Sequence, residues 1–135
     1  GKKIAFLGWA FKKNTNDTRE SAAIYIADML IEEQAYINVF DPKVSKEQIK
    51  LDLKVLNSRE NDINEKHLNV EDDPYIALDG AHAVAILTEW DEFKEYNWKS
   101  IYKKMKKPAF IFDGRNILDS TLLSEIGFIY KGIGI

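Results

Sequence analysis

Apolar residues are spaced along this chain in two rhythms. Residues 4–7, 83–87 and 109–112 are short unbroken apolar runs, the pattern of strands buried on both faces. Residues 36–40, 67–70 and 128–130 are further strand candidates. Between them Ala23, Ile26, Ala27, Leu30 and Ile31 recur at helical spacing, so residues 19–34 read as an amphipathic helix. Asp17 and Glu20 stand at capping-box spacing at its start. Ser45-Lys46-Glu47-Gln48 is a second capping box and opens a short helix. Asp72-Asp73-Pro74 starts a third, running to about Leu78, which Gly80 ends. Residues 88–93 read as a loop and short helix, and Trp98, Ile101, Tyr102 and Met105 mark another. Asp119 caps a last helix through Glu125, with Gly127 at the C-cap position. Residues 52–66 show no period and read as an irregular excursion.

Strands alternating with helices at this spacing predict a doubly wound, Rossmann-like α/β domain, a mostly parallel sheet with helices on both faces. Ligands of such folds bind beyond the C-terminal strand ends, near the point where strand order reverses. The sequence places its polar clusters there: Phe11-Lys12-Lys13, Asp41-Pro42, Thr88-Glu89-Trp90 and Asp113-Gly114-Arg115. A phosphoacceptor receiver, the natural competitor at this size, needs acidic residues directly after its first strand. Gly8-Trp9-Ala10-Phe11 carries none, and Lys107-Pro108 precedes its strand instead of following one.

Composition narrows the classes. The 135 residues, 45% hydrophobic and 30% charged, fit one folded domain, residues 1–135. A net charge of −3 argues against nucleic acid as a partner. No apolar stretch is long enough to span a bilayer, so no membrane partner is expected. The absence of cysteine removes disulfides and thiolate chemistry from this chain, and a cytoplasmic setting is expected. Starting at Gly1 and entering a strand almost at once, the chain reads as a piece of a longer polypeptide.

The stretch from Ile4 to Ser21 organises the rest. A strand, a loop with Lys12 and Lys13, and a helix start make an anion site, through amides as well as lysine side chains. Arg19, placed in the first helical turn, opposes the helix dipole unless an anion is near. Glu20 or a bound phosphate would compensate, and guanidinium matches phosphate in shape. The turn is not a dinucleotide fingerprint, because G-x-G-x-x-G keeps only Gly8 here. Asp113-Gly114-Arg115 after the fifth strand reads either as a tight turn with an exposed arginine or, opposite the basic loop, as a place from which Arg115 could clamp a diphosphate or a sugar hydroxyl. Trp90 and Phe93 read as packing before stacking, His67 and His82 as structural, and the lysines of 103–107 as a solvated helix end. No residue set suggests a metal site.

Taken together, Phe11-Lys12-Lys13-x-Thr15-x-Asp17-x-Arg19-Glu20-Ser21, Asp41-Pro42, Asp79-Gly80-Ala81, Thr88-Glu89-Trp90 and Phe112-Asp113-Gly114-Arg115 closely resemble one family. The chain resembles the C-terminal, UDP-binding domain of the UDP-glucose and GDP-mannose dehydrogenases over nearly its whole length. Thr88-Glu89-Trp90 and residues 107–110 look most like the animal-type UDP-glucose enzymes. The resemblance implies an NAD-dependent oxidoreductase that takes UDP-glucose to UDP-glucuronate in two hydride transfers, through a thiohemiacetal on a cysteine. It implies that NAD is bound mainly by an N-terminal domain outside this chain, and that a central helix makes a homo-oligomer. Phe11, Lys12 and Arg115 would contact the UDP-sugar, and Arg19 would meet the cofactor. No catalytic residue is expected in this chain, which alone would be inactive. Two alternatives stay open: the same domain of another nucleotide-sugar dehydrogenase, acting on GDP-mannose or a UDP-N-acetylhexosamine, or a noncatalytic nucleotide-binding or assembly module.

Overall fold

A computed structural model describes residues 1–132. Its elements are β1 (Lys3–Leu7), α1 (Ala22–Glu32), β2 (Tyr36–Phe40), α2 (Lys46–Leu56), α3 (Ile63–His67) and β3 (Leu68–Val70) in the first half. The second half holds α4 (Pro74–Leu78), β4 (Ala83–Ile86), a 3-10 turn (Asp91–Glu95), α5 (Trp98–Lys104), β5 (Phe110–Asp113), α6 (Ser120–Ile126) and β6 (Ile129–Gly132). The six strands form one sheet in the order β3-β2-β1-β4-β5-β6, and every neighbouring pair is parallel. The sheet expected to be mostly parallel is therefore wholly parallel among the described residues.

The register puts Ile4 beside both Ile37 and Ala83, so β1 lies at the centre. From β1 the chain winds outward to β2 and β3, then crosses to β4 and winds the other way. The reversal between β1 and β4 is the switch point, where the loops that follow neighbouring strands diverge and leave a crevice. On one side α1 packs against α2 and α2 against α3; on the other α4 meets α5 and α5 meets α6. Right-handed crossovers impose this division. The covering is uneven as a result, because both crossovers beyond β4 fall on the side away from α1. On the α1 side, over β4 and β5, this leaves an apolar cleft of about 530 Å³, lined by Ile26, Leu30, Ala83, Ala85, Leu87 and Phe112.

Several expectations need correction. The helix read over 19–34 begins only at Ala22, capped by Ser21, whose Oγ accepts from Ala23 N at 3.3 Å. The expected Asp17–Glu20 box does not form, because Glu20 sits in the left-handed region at φ 65°. Residues 52–66 are not an irregular excursion. The helix opened by Ser45 runs on to Leu56, burying Ile49 and Leu53, and Ile63–His67 is helical too. The link between them is held by Arg59, which pairs with Asp28 at 2.6 Å and Glu32 at 2.9 Å on α1. That tie is tertiary and leaves no local pattern. The second capping box is half made: Ser45 accepts from Gln48 N, whereas the Gln48 amide turns to Asp52. Finally, the fifth strand pairs from Phe110 to Asp113, one residue later than the apolar run suggests.

Candidate functional site

The loop after β1 is fixed atom by atom. Gly8 donates its N–H to Phe40 O at 2.8 Å, which carries the chain past β2. It holds φ at +103°, and a Cβ there would come within 2.3 Å of Thr88 Oγ1. Glycine is required on both counts. The backbone groups of the next three residues all find protein partners. Trp9 N and Ala10 N donate to Asp41 Oδ2 at 2.7 and 2.9 Å. Trp9 O accepts from Ser21 Oγ at 2.7 Å, and Ala10 O from Thr88 Oγ1 at 2.8 Å. Phe11 N donates to Asp17 O at 2.8 Å, and Phe11 O accepts from Arg115 Nη2 at 3.1 Å.

These bonds correct the expectation that amides of this turn are free for an anion. They are already satisfied from within, chiefly by Asp41, a carboxylate only 8% exposed. Its Oδ2 also accepts from Trp90 Nε1 at 3.2 Å, and its Oδ1 from Lys43 N and Val44 N at 2.8 and 3.1 Å. Trp90 is thus buried as a strut, in line with the packing role expected of it, and Phe93 is buried beside it. Sequence reasoning placed Asp41 at the ligand edge but missed this part. The signal available was Asp41-Pro42 directly after a strand, facing a turn that lacks the fingerprint glycines.

A second buried carboxylate shapes the opposite wall. Asp113, at 0% exposure, accepts from Arg115 N, Ile117 N and Leu118 N, and from Tyr130 Oη at 2.8 Å. Burial, reinforced by this carboxylate, pushes the Tyr130 phenol up to about 12, so the hydroxyl remains a donor. Gly114 permits a close approach: its N–H reaches Ile86 O at 3.0 Å, where a Cβ would stand 2.9 Å from that oxygen. The turn so formed aims Arg115 back across the switch point. Arg115 Nε donates to Leu87 O and Nη2 to Phe11 O, each at 3.1 Å.

The structure therefore brings Phe11, Lys12 and Arg115 to one edge. Phe11 is 42% exposed, and Lys12 is exposed with no hydrogen bond or ion pair among the described residues. Lys13 is drawn aside, its N–H on Glu89 at 2.9 Å and its ammonium 3.7 Å from Asp91. Arg19 does not lie in the first helical turn. It precedes the cap, and its guanidinium grips Asp17 through Nε and Nη2 at 3.1 and 2.9 Å. The compensating anion is Asp17, neither Glu20 nor a required phosphate. Arg19 holds the Asp17 carboxyl down at about 2 while its own side chain stays 88% exposed. His67 and His82 are structural, bonded to Ala35 O and Lys3 N. Lys107 turns onto Tyr102 and its carbonyl. No cluster of possible metal ligands occurs among the described residues.

A pinned loop after β1, a cross-strand arginine from β5 and an edge cation between them suit a ligand with a negatively charged, extended part. The profile of one family covers these elements, matching residues 5–120: the UDP-glucose/GDP-mannose dehydrogenase family, UDP binding domain. The chain belongs to that family. This UDP-binding domain is 53% identical over 135 residues to the UDP-glucose 6-dehydrogenase of Pongo abelii. It is 54% identical over 133 residues to that of Caenorhabditis elegans. In both cases 98% of the chain is covered but only 27% of the relative, so the domain spans about a quarter of those proteins. Among solved structures, UDP-D-ManNAc dehydrogenase from Pyrococcus horikoshii superposes with a TM-score of 0.72 at 32% identity. That match covers 98% of this chain and 25% of the other.

Proposed function

We propose that residues 1–135 are the unit that holds the UDP part of UDP-glucose in an NAD-dependent UDP-glucose 6-dehydrogenase. The observation that carries this reading is the bond from Arg115 to the Phe11 carbonyl, which unites the two halves of the edge around Lys12. A diphosphate lying there meets an exposed ammonium from Lys12 and the guanidinium of Arg115. Charge-assisted bonds of this kind are roughly twice as strong as neutral ones. Phe11 adds an apolar face beside the chain of phosphates. The nucleotide is remote from the sugar carbon that reacts, so its binding energy positions the sugar without touching the chemistry.

NAD does not fit this domain's own βα turn, because Trp9 and Ala10 have given their amides to Asp41. The cofactor therefore belongs to other parts of the longer protein, with exposed Arg19 as the one residue here that meets it. NAD, when bound, supplies the hydride acceptor. With no cysteine among 135 residues, a thiol nucleophile also belongs elsewhere, and so does the dimerising helix.

In the full-length enzyme, Lys12→Ala or Arg115→Ala should raise KM for UDP-glucose at least about tenfold, the loss of one charge-assisted hydrogen bond. Unchanged kinetics in both variants would remove these residues from the site. The likeness to a UDP-D-ManNAc dehydrogenase supports a second reading, a different sugar on the same nucleotide. Titrating the full-length protein with UDP-glucose, UDP-N-acetylhexosamines, GDP-mannose and UDP separates the two by which sugar improves on UDP alone.

A further inference from the structure

We infer that Asp41 is a positioning residue for nucleotide-sugar binding, a built-in anion standing where a dinucleotide fold holds its ligand's phosphate. The inference rests on the UDP-sugar reading above. In dinucleotide-binding sheets the amides of the first βα turn point at the pyrophosphate. The corresponding amides here, Trp9 N and Ala10 N, point at Asp41 Oδ2 instead. The same carboxylate accepts from Trp90 Nε1, Lys43 N and Val44 N, so one anion joins the loops that follow β1, β2 and β4. No lysine or arginine forms an ion pair with it among the described residues. Its charge is met by N–H dipoles alone, as a bound phosphate's would be.

Two consequences follow from an internal anion at this place. The segment Trp9–Phe11 is ordered before any ligand arrives, which spares the cost of ordering it on binding. The ligand's phosphates are left to address side chains, Lys12 and Arg115, in place of the turn. Alanine at position 41 leaves four amides and the Trp90 indole N–H without their acceptor, and releases the loop that presents Phe11 and Lys12. A cleft of about 430 Å³, lined by Asp41, Pro42, Lys43, Ser45, Lys46 and Asp72, opens at this residue and offers a small anion a route to the space a shorter side chain would vacate.

Chemical rescue tests the idea in the full-length dehydrogenase. Asp41→Ala should raise KM for UDP-glucose about tenfold or more, with kcat and KM for NAD within about threefold of wild type. Formate, a carboxylate small enough for the vacated space, should then lower that KM at least about threefold. Chloride at equal ionic strength should not, and wild type should respond to neither. A KM that stays at the wild-type value, or rises and ignores formate, overturns the inference. If the variant does not fold, hydrogen exchange on the ligand-free wild-type protein decides. The Trp9 and Ala10 amides should exchange about a hundredfold more slowly than the Lys12 amide. Exchange at the Lys12 rate overturns the inference too. A wild-type enzyme that does not use UDP-glucose would instead withdraw the reading on which it rests, and the exchange result would still judge the carboxylate.

Discussion

Gly8 depends on a single missing atom more sharply than any other residue near the site. Its positive φ and the contact with Thr88 are independent obstacles, and the contact includes Thr88 backbone as well as side chain. Gly8→Ala should therefore destabilise by roughly 2–5 kcal/mol, strain and overpacking together, read as a lower urea midpoint. A midpoint within experimental error of wild type would mean the two loops can part freely. Asp17 and Arg19 give a milder case. The carboxyl sits at about 2 against its usual 3.8, held there by the guanidinium. A depressed folded pKa means that the pair's contribution is present above the ordinary value and disappears as pH falls through about 2. Both groups face water, so the effect on stability is small and falls with salt. The expected observation is an Asp17 carboxyl titration near 2 that moves up towards 3.8 in Arg19→Leu. A titration left in place by that substitution would rule out Arg19 as the cause.

Among the elements, the two serine caps show what a sequence discloses and what it hides. Ser45 lies at the start of a clear capping pattern and does what that pattern predicts. Ser21 was overshadowed by Asp17 and Glu20, both more conspicuous, and it does more. It caps α1 and also donates to Trp9 O, buried at the loop. Ser45→Ala should cost about 1 kcal/mol, a lost exposed cap. Ser21→Ala should cost clearly more, about 2 kcal/mol, because Trp9 O is left without a donor in the interior. Equal losses in chemical denaturation would deny Ser21 its second task. Strands were legible because burial on both faces writes itself as unbroken apolar runs. The segment 52–66 was not, because Arg59 fastens it to acids on a helix far back in the chain. The candidate site divides the same way. Periodicity locates the strand ends where Phe11, Lys12 and Arg115 stand, and the family resemblance singles those residues out there, whereas the Asp41 bonds depend on three loops meeting.

At the scale of the whole molecule, the strand order has a consequence for how the protein comes into being. β1 is first along the chain and central in space, with β2 on one side and β4 on the other. Its second edge has no native partner until Ala83 and its neighbours exist, more of the chain away than the partner of its first edge. During that interval the edge of Ala5, Phe6 and Leu7 is an apolar template open to any passing strand. Pairings of such long reach close slowly, so refolding should fall in the milliseconds-to-seconds range, slower than for helical proteins of this length. Fragments that stop before residue 83 should scatter light and sediment as aggregates, whereas residues 1–132 remain clear at the same concentration. Soluble, monodisperse short fragments would show that β1 protects itself. Otherwise the order of synthesis, rather than the final contacts, sets the moment of greatest risk for this fold.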